Sequence, residues 1–384
     1  MESIVRRSLG WLLLLWAAGA GLAPAALAVD ASHDELDTWT APGEPDPEPY
    51  YFYRGAQYGS EALLHPFRLI VNGAFGILQL DNRPSRLDEI DYANGLRNVG
   101  RNLADPVAAI QQHGWWDFLQ REVIPVSFNN HKAHYWPNYT QHLIGGGMSY
   151  RLYVEWFRYH GYPNPKLLSG LTMTMYHVLN EVVENNEFDG WTTDPVADLY
   201  LFDPLGMLLF SSDRVSRFFG HTLNMSDWSY QPSLDFADAR LENGGQNFAM
   251  KLRLPWSQRW HVFYHFGTHG EGGLSFKRRN GESISVGLGL KAGDLIDLAE
   301  GVKSVELAAS GGVFYDRHNS LLASLLLART KDYRMRLNVY PGVLRLGPLS
   351  PGLFVADKRS EGIVFGVTIG SVPSIPVGIA GAAR

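Results

Sequence analysis

The chain has 384 residues, a formal net charge of −6 at pH 7 and no cysteine. The lack of cysteine excludes disulfides, thiolate metal ligands and a cysteine nucleophile. The mildly acidic balance argues against nucleic acid as a partner, because phosphate binding needs concentrated Lys and Arg. The length exceeds that of one ordinary hydrophobic core and therefore predicts two structural regions.

Residues 1–28 show the three parts of a secretory signal. Arg6 and Arg7 provide a positive start, residues 9–22 are apolar, and residues 26–28 offer a small-x-small cleavage site. A retained membrane anchor is the alternative, but this apolar stretch is short for a bilayer, which needs about 20 apolar residues. We therefore predict cleavage after Ala28 and export to a bacterial cell envelope.

Two regions with different composition follow the signal. Residues 29–50 are acidic and rich in proline, a composition that forms neither a helix nor a central strand, so we expect an extended tail. Residues 51–228 are aromatic-rich, and their apolar side chains recur at three- and four-residue spacing, which predicts helices. Residues 196–210 are apolar as well, and Asp203-Pro204 is expected to break a helix there. The clearest helical pattern comprises Leu168, Leu171, Met175, Val178, Leu179 and Val182.

From residue 229 onward the apolar period changes to two. In residues 283–290, Ile, Val and Leu at even positions alternate with Ser and Gly at odd positions. Such alternation predicts strands with one apolar and one polar face, and residues 229–370 hold about ten of them. The predicted fold class is therefore α+β: a helical N-terminal region, an antiparallel β-barrel or barrel-like sheet, and a C-terminal tail at residues 371–384.

Two features of the strands favour a barrel in the outer membrane over a soluble periplasmic all-β module. Small or charged residues occupy one face of several strands, as a wet interior allows, and aromatic residues fall near strand ends, as an interfacial girdle would. After the signal, the sequence has no apolar stretch suited to a membrane-spanning helix. The aromatic residues in question are Trp256, Trp260, Tyr264, Tyr315 and Tyr333.

A group of polar residues recurs inside the apolar helical segments. These groups are costly to bury without partners, so we expect them to meet one another. One interpretation is a buried hydrogen-bond network that fixes how three helices pack. The other is a catalytic site, with a histidine as general base oriented by Glu181 or Glu184, or a site for a divalent metal. The candidate site residues are His142, His177, Glu181, Glu184, Asp198 and Asp203, with Asp194 nearby.

Residues 142–206 resemble the core of VanZ-like and YfiM-like envelope domains. Those families carry a His at the start of one apolar helix, a Glu in the next and an Asp-rich segment that ends in Gly. In this chain Asp203 stands where the families have Asn. The resemblance implies an envelope domain of undefined activity. The matching positions are His142, Glu181 or Glu184, Asp198, Asp203 and Gly206.

Three histidines, His261, His265 and His269, recur every four residues. Residues 262–267 alternate as a strand does, which predicts a row of histidines along one side of a strand and argues against a compact helical zinc site.

The primary hypothesis is a bacterial outer-membrane protein of undefined activity that contacts membrane lipid or lipopolysaccharide, without a cofactor or metal. The sequence favours a protein that is not an enzyme, and it does not indicate an oligomeric state. The first alternative is an envelope enzyme acting on lipid or glycan, centred on His142, Glu181 and Glu184; the second is a soluble periplasmic binding module. An enzyme places these residues in an open cleft, whereas a structural network buries them and bonds them to one another.

Overall fold

The computed structural model describes residues 49–80, 86–125, 135–298, 302–330, 332–347, 349–359, 361–369 and 375–383. The predicted signal, residues 1–28, and nearly all of the predicted tail, residues 29–50, lie outside these ranges. Within them a helical region precedes a large antiparallel sheet, which confirms the predicted α+β class.

The helical region contains α-helices joined by short 3₁₀ and π-helical turns. The 3₁₀ turns are Ser60–Leu63 and Gly76–Gln79, and the π-helical segments are Leu119–Val123, Asn138–Gly146, Asp198–Phe202 and Phe218–Thr222. The α-helices are α1 (Pro66–Ala74), α2 (Tyr92–Ala104), α3 (Pro106–His113), α4 (Trp115–Phe118), α5 (Tyr135–Pro137), α6 (Gly147–Tyr159), α7 (Pro165–Glu184), α8 (Asp194–Ala197), α9 (Asp203–Phe210) and α10 (Asp213–Arg217).

The predicted break at Asp203-Pro204 is wrong, because the chain stays helical from α8 through the segment Asp198–Phe202 into α9. Pro204 is the second residue of α9, directly after the π-helical segment in which the Asp203 N–H bonds to Asp198 O. The periodic segment at residues 168–184 does form a helix, α7, which begins at Pro165 after Asn164 in the left-handed region (φ 54°).

The sheet contains thirteen strands among the described residues, against about ten predicted from alternation. Its order is β1-β4-β5-β6-β7-β8-β9-β10-β11-β12-β13-β2-β3, and β13–β2 is a parallel pair in an otherwise antiparallel ladder. The strands are β1 (Ser226–Asp227), β2 (Ser233–Asp235), β3 (Arg240–Glu242), β4 (Phe248–Arg253), β5 (Trp260–Phe266), β6 (His269–Lys277), β7 (Glu282–Leu298), β8 (Val302–Arg317), β9 (Ser320–Ala328), β10 (Met335–Val339), β11 (Pro351–Lys358), β12 (Gly362–Ile369) and β13 (Ile375–Ala382).

Two expectations about the ends of the sheet need correction. The ladder does not close on itself, since β1 and β3 stand at its two ends. The predicted tail at residues 371–384 contains β13, which pairs with β12 from Val364↔Ala382 to Ile369↔Ile375. Pro376 is compatible with this pairing because it is the second residue of its strand, close to the start, where strands tolerate proline.

Residues 226–235 contact strands on both sides of this sheet, β4 on one side and β13 on the other. β1 pairs with β4, and beyond it Trp228 N donates to Asn247 O (2.8 Å) and Tyr230 N to Gly245 O (3.0 Å). Three residues later β2 pairs with β13 at Ser233↔Gly378. A single short stretch therefore satisfies backbone groups next to both β4 and β13.

The alternation along the strands is as predicted, and the apolar face is the exposed one. In β7 the side chains of Ile284 and Leu288 are 45% and 74% exposed, whereas Ser283 and Ser285 are 3% and 0% exposed. Tyr333, predicted as an interfacial aromatic, is instead fully buried and its hydroxyl lies 2.6 Å from His269 Nε2.

The helical region packs against the buried face of the sheet through residues 50–80. Arg68 of α1 donates to the carbonyl oxygens of Ser229 (2.6 Å) and Tyr230 (3.0 Å). Ser60 Oγ donates to Asp227 O (2.8 Å), and the same hydroxyl accepts from the N–H of Leu321 in β9 (3.3 Å). In the portion of the chain that the structure covers, every helix is too short or too polar to cross a membrane.

Candidate functional site

His142 lies at the centre of a cluster of acidic side chains in the helical region. Its Nδ1 is 2.9 Å from Asp203 Oδ1, and its Nε2 is 3.3 Å from Asp198 Oδ2. The side chain is supplied by the π-helical segment Asn138–Gly146, which continues directly into α6. One imidazole therefore contacts two carboxylates from a single neighbouring helical stretch.

The π-helical segment Asp198–Phe202 brings these two carboxylates to the same side. On a regular α-helix, residues five positions apart point in directions that differ by roughly 140°. A π-helical turn bonds residue i to residue i+5 and places them above one another. Asp198 and Asp203 can therefore face His142 together.

The glycine triplet before α6 lets three neighbours approach this helix. A Cβ on Gly145 would lie 2.5 Å from the Phe248 ring, and one on Gly146 would lie 3.2 Å from His177 Nε2. A Cβ on Gly147 would lie 2.6 Å from the carbonyl oxygen of Gly206 in α9. The triplet is thus required for close packing, and it keeps the α7 and α9 side chains within reach of His142.

His177 of α7 joins the cluster from the other side. Its Nδ1 lies 3.2 Å from Asp203 Oδ1, and its ring centroid lies 5.2 Å from that of His142. Although this distance is that of an ion pair, the Nδ1 atom lacks a hydrogen bond of acceptable geometry among the described residues. Asp203 is therefore shared by both histidines.

A second group of carboxylates adjoins the first. One oxygen each of Glu181, Asp194 and Asp198 lies within 4.8 Å of the other two, and the ligand atoms of His142, His177 and Asp203 satisfy the same limit. Glu184, a predicted site residue, belongs to neither group. It lies two helical turns beyond His177, roughly 10 Å along the axis of α7.

The pKa values of the two histidines are shifted in opposite directions. Burial alone lowers the pKa of His142, but the negative charges of Asp198 and Asp203 outweigh it and raise that pKa to about 10. For His177, burial dominates and lowers the pKa to about 4, helped by the positive charge on His142. The two carboxylates therefore favour the protonated form of His142, whereas burial favours the neutral form of His177.

The pKa of Asp198 is raised well above its ordinary value. Burial is the main cause, the charge of His142 partly opposes it, and the nearby charges of Asp194, Asp203 and Glu122 add to the increase. Glu122 was not among the residues singled out from the sequence. It is 1% exposed and accepts from Thr193 Oγ1 at 3.0 Å. No periodic or spacing signal in residues 119–125 marks it.

The cluster is closed to solvent over most of its surface. The side chains of His177, Asp198 and Asp203 are 2%, 5% and 5% exposed, and only the edge of His142 is accessible, at 12%. Of the two interpretations drawn from the sequence, buried and mutually bonded side chains fit the structural network better than an open catalytic cleft.

The three sheet histidines occupy two strands rather than one. His261 and His265 lie on β5, and His269 opens β6 after a turn. All three are at most 6% exposed, and they make separate contacts: His265 Nδ1 lies 3.2 Å from Glu271 Oε2, and His269 contacts Tyr333. The row faces the buried side of the sheet without converging on one point.

Comparisons of the chain with protein-family models, with curated proteins and with solved structures find no match. The resemblance to VanZ-like and YfiM-like domains therefore gains no support from them and rests on the short motif of residues 142–206.

Proposed function

We propose that the chain is an outer-membrane protein of the bacterial envelope in which the outer face of a curved, barrel-like sheet contacts lipid. The helical region lies against the opposite face and stabilises it. The partners that this proposal implies are membrane lipid and lipopolysaccharide.

The observation that carries the proposal is a continuous row of exposed apolar residues across nine strands, called here the apolar row. Each member is the direct cross-strand partner of the next, and all are between 37% and 51% exposed. At about 4.8 Å between strands the row extends roughly 38 Å. Its members are Leu252, Val262, Leu274, Val286, Val313, Leu325, Leu337, Val355 and Phe365.

A water-soluble sheet with alternating strands buries its apolar face and exposes its polar face. This sheet has the reverse arrangement. Exposed apolar surfaces larger than a few hundred Å² are rare on soluble monomers and mark contact with a protein or a membrane. A band that follows strand after strand is typical of the lipid-facing side of outer-membrane sheets.

The buried face combines an aromatic cluster with charged pairs. Lys251 Nζ lies 2.5 Å from Asp316 Oδ2, and both side chains are at most 3% exposed. Lys358 Nζ lies 2.8 Å from Glu242 Oε2. Charged pairs of this kind in the interior of a sheet, with aliphatic residues outside, support a lipid environment. The signal-like sequence of residues 1–28 supports export.

The connection through residues 226–235 supports a curved, barrel-like arrangement. Exposed strand edges are a liability in any sheet, and in lipid an unpaired edge is prohibitive. Residues that bond next to β4 on one side and to β13 on the other cover both flanks at once.

The absence of cysteine makes a direct test simple, since a single introduced thiol is unique. We would label Leu274→Cys, in the apolar row, with an environment-sensitive fluorophore, and compare it with Leu167→Cys on α7. Both leucines are exposed, at 51% and 60%. After reconstitution into phospholipid vesicles with spin-labelled acyl chains, the proposal requires strong quenching at position 274 and weak quenching at position 167.

Fractionation provides an independent check in cells. The proposal requires the mature chain in the detergent-solubilised outer-membrane fraction. Release by osmotic shock, together with equal quenching at the two labelled positions, would contradict the proposal and favour a soluble periplasmic module.

A further inference from the structure

We infer that His142, His177 and Asp203 bind one divalent transition-metal ion, of the zinc, iron(II) or manganese class, that joins the helical segments carrying them. The site holds the helical region together, and it does so whether or not the sheet contacts lipid. Three elements contribute one ligand each: the π-helical segment before α6, α7, and the start of α9.

The geometry is close to that of a metal site. Two ligands in a tetrahedral zinc site lie roughly 3.3 Å apart, given metal–ligand distances of about 2.0–2.2 Å. Asp203 Oδ1 lies 2.9 Å from His142 Nδ1 and 3.2 Å from His177 Nδ1. The ligand atoms of all three residues lie within 4.8 Å of one another, a spacing compatible with one shared ion.

Unpartnered atoms inside the cluster point to a missing ligand. Among the described residues, Asp198 Oδ1, Asp203 Oδ2 and His177 Nδ1 are buried without a hydrogen-bond partner. A buried polar atom left unsatisfied costs about 1–3 kcal/mol, and native proteins hold few of them. A cation bound by His177 and Asp203 gives partners to two of these three groups, and both belong to the three-residue set whose ligand atoms lie within 4.8 Å of one another.

The composition of the cluster also favours a cation. Five carboxylic side chains lie around the two imidazoles: Glu122, Glu181, Asp194, Asp198 and Asp203. A divalent ion bound by neutral imidazoles brings positive charge to this acidic cluster.

The donor types select the metal class. Two imidazoles with one carboxylate match the ligand sets of zinc and non-haem iron, whereas calcium and magnesium prefer oxygen ligands alone. Asp198, which lies 3.3 Å from the far nitrogen of His142, is placed to orient that ring as an outer-sphere carboxylate. The burial of His177 and Asp203 indicates a structural ion rather than a catalytic one.

The test uses the full-length chain, purified in detergent and stripped with a chelator. Cobalt(II) is the probe, because its visible absorption intensifies in a low-coordinate site, and zinc is then added to compete. We expect one cobalt per chain and a higher unfolding temperature with either metal, since a ligand that binds only the folded state stabilises it.

His177→Gln and Asp203→Asn are the site variants, and His160→Gln is the control. His160 also lies in the helical region, but its Nδ1 contacts the Trp156 carbonyl oxygen (2.8 Å) rather than a carboxylate. Loss of an outer-sphere partner weakens metal sites roughly 10–100-fold, so loss of a ligand should weaken binding at least about 100-fold. His160→Gln should bind as the wild type does.

Three results would overturn the assignment. They are failure of the folded wild type to bind cobalt or zinc at millimolar concentration, unchanged binding in His177→Gln, and binding of magnesium or calcium as tight as that of zinc. If Asp203→Asn does not fold, His177→Gln decides the question, with near-ultraviolet circular dichroism as the check that it is folded.

Discussion

The carboxylate of Glu155 and the guanidinium of Arg151 form a buried ion pair one turn apart on α6, with Arg151 Nε 3.0 Å from Glu155 Oε1. The same carboxylate accepts hydrogen bonds from the backbone N–H groups of Tyr51, Phe52 and Tyr53, at 3.0, 2.8 and 2.9 Å. One side chain therefore fixes the start of the described chain onto the helical region.

Replacing Glu155 with Ala should be strongly destabilising. It leaves three backbone donors without an acceptor and removes the buried counter-ion of Arg151, which keeps the exposed Asp213 at 3.0 Å. Breaking a buried ion pair costs about 3–5 kcal/mol. Chemical unfolding in detergent measures the effect. Glu187→Ala, at an exposed position, should change the free energy of unfolding by less than about 0.5 kcal/mol. Equal losses in the two variants would show that Glu155 has no special role.

Replacing Val286 with Arg tests whether the apolar row contacts lipid, through the free energy of folding into a bilayer. Val286 is 47% exposed and pairs directly with Leu274 and Val313. If the row contacts lipid, the substitution should cost about 2–4 kcal/mol of folding into a bilayer. The same substitution at exposed Leu167 of α7 should cost much less. Vesicle-folding titrations that rank the two variants equally would rule out lipid contact at Val286.

The Lys251–Asp316 pair should show strong non-additivity. Lys251→Met leaves the fully buried Asp316 carboxylate without its cation and should cost about 3–5 kcal/mol. Asp316→Asn in addition removes the uncompensated charge and keeps an acceptor for the N–H of Asn319. The loss in free energy of unfolding of the double variant should therefore be smaller than the sum of the losses in the two single variants, by about 0.5–3 kcal/mol in a double-mutant cycle. Simple additivity would mean that the pair is not coupled.

Substitutions at Gly206 and Gly170 test how closely α9 packs against the segment that carries His142. A Cβ on Gly206 would lie 2.7 Å from Leu143 O and 2.9 Å from His142 O, whereas a Cβ on Gly170 meets open space. Gly206→Ala should cost about 1–3 kcal/mol by forcing α9 away from His142. Gly170→Ala should be neutral or stabilise α7 by up to about 1 kcal/mol. Thermal unfolding of both variants distinguishes these outcomes.

His160 should make the helical region less stable in acid. Burial lowers its pKa below the ordinary 6.5, partly opposed by its bond to the Trp156 carbonyl, and its ring stacks on Trp156 at 4.0 Å. Because the folded-state pKa is lower than the unfolded one, the unfolded state binds more protons at acidic pH. The contribution of His160 is therefore complete above about pH 6.5 and is lost as the pH falls towards the folded-state pKa.

The variant His160→Gln should flatten the pH dependence of unfolding between neutral and acidic conditions. The ring is surrounded mainly by aromatic groups, with Tyr53 and Tyr159 at centroid distances of 5.9 and 5.3 Å. Free energies of unfolding at pH 8 and pH 5.5 give the comparison. A variant with the same acid sensitivity as the wild type would exclude His160 as its source.

The alternation in residues 283–290 was sufficient to predict strands, but it could not tell which face is buried. Both faces repeat every second residue, so the choice depends on what fills the interior. In this molecule both aromatic and polar side chains fill the interior; Trp228 belongs to a buried hydrophobic cluster, and Asn243 Nδ2 donates to Asn338 Oδ1 at 3.0 Å. Contacts between residues so distant in sequence leave no local signature.

The sequence was enough to predict the central residues of the candidate site, but it did not predict the position of Glu184 or the π-helical turn. The cost of burying polar groups was enough to predict that His142, His177 and Asp203 meet. Glu184 was a candidate as well, but it lies seven residues beyond His177 on α7, too far along the helix axis to join the cluster. The π-helical turn after Asp198 was not predictable either, because Asp203-Pro204 indicated a break at this point of the sequence.

The parallel pairing of β2 with β13 has a consequence for how the polypeptide acquires its structure. It joins Ser233 to Gly378, which are 378 − 233 = 145 positions apart. Such a distant contact is entropically expensive and forms slowly. Residues 233–234 find their partner only after β13 has been synthesised. Until then intermediates carry unpaired strand groups that are prone to self-association.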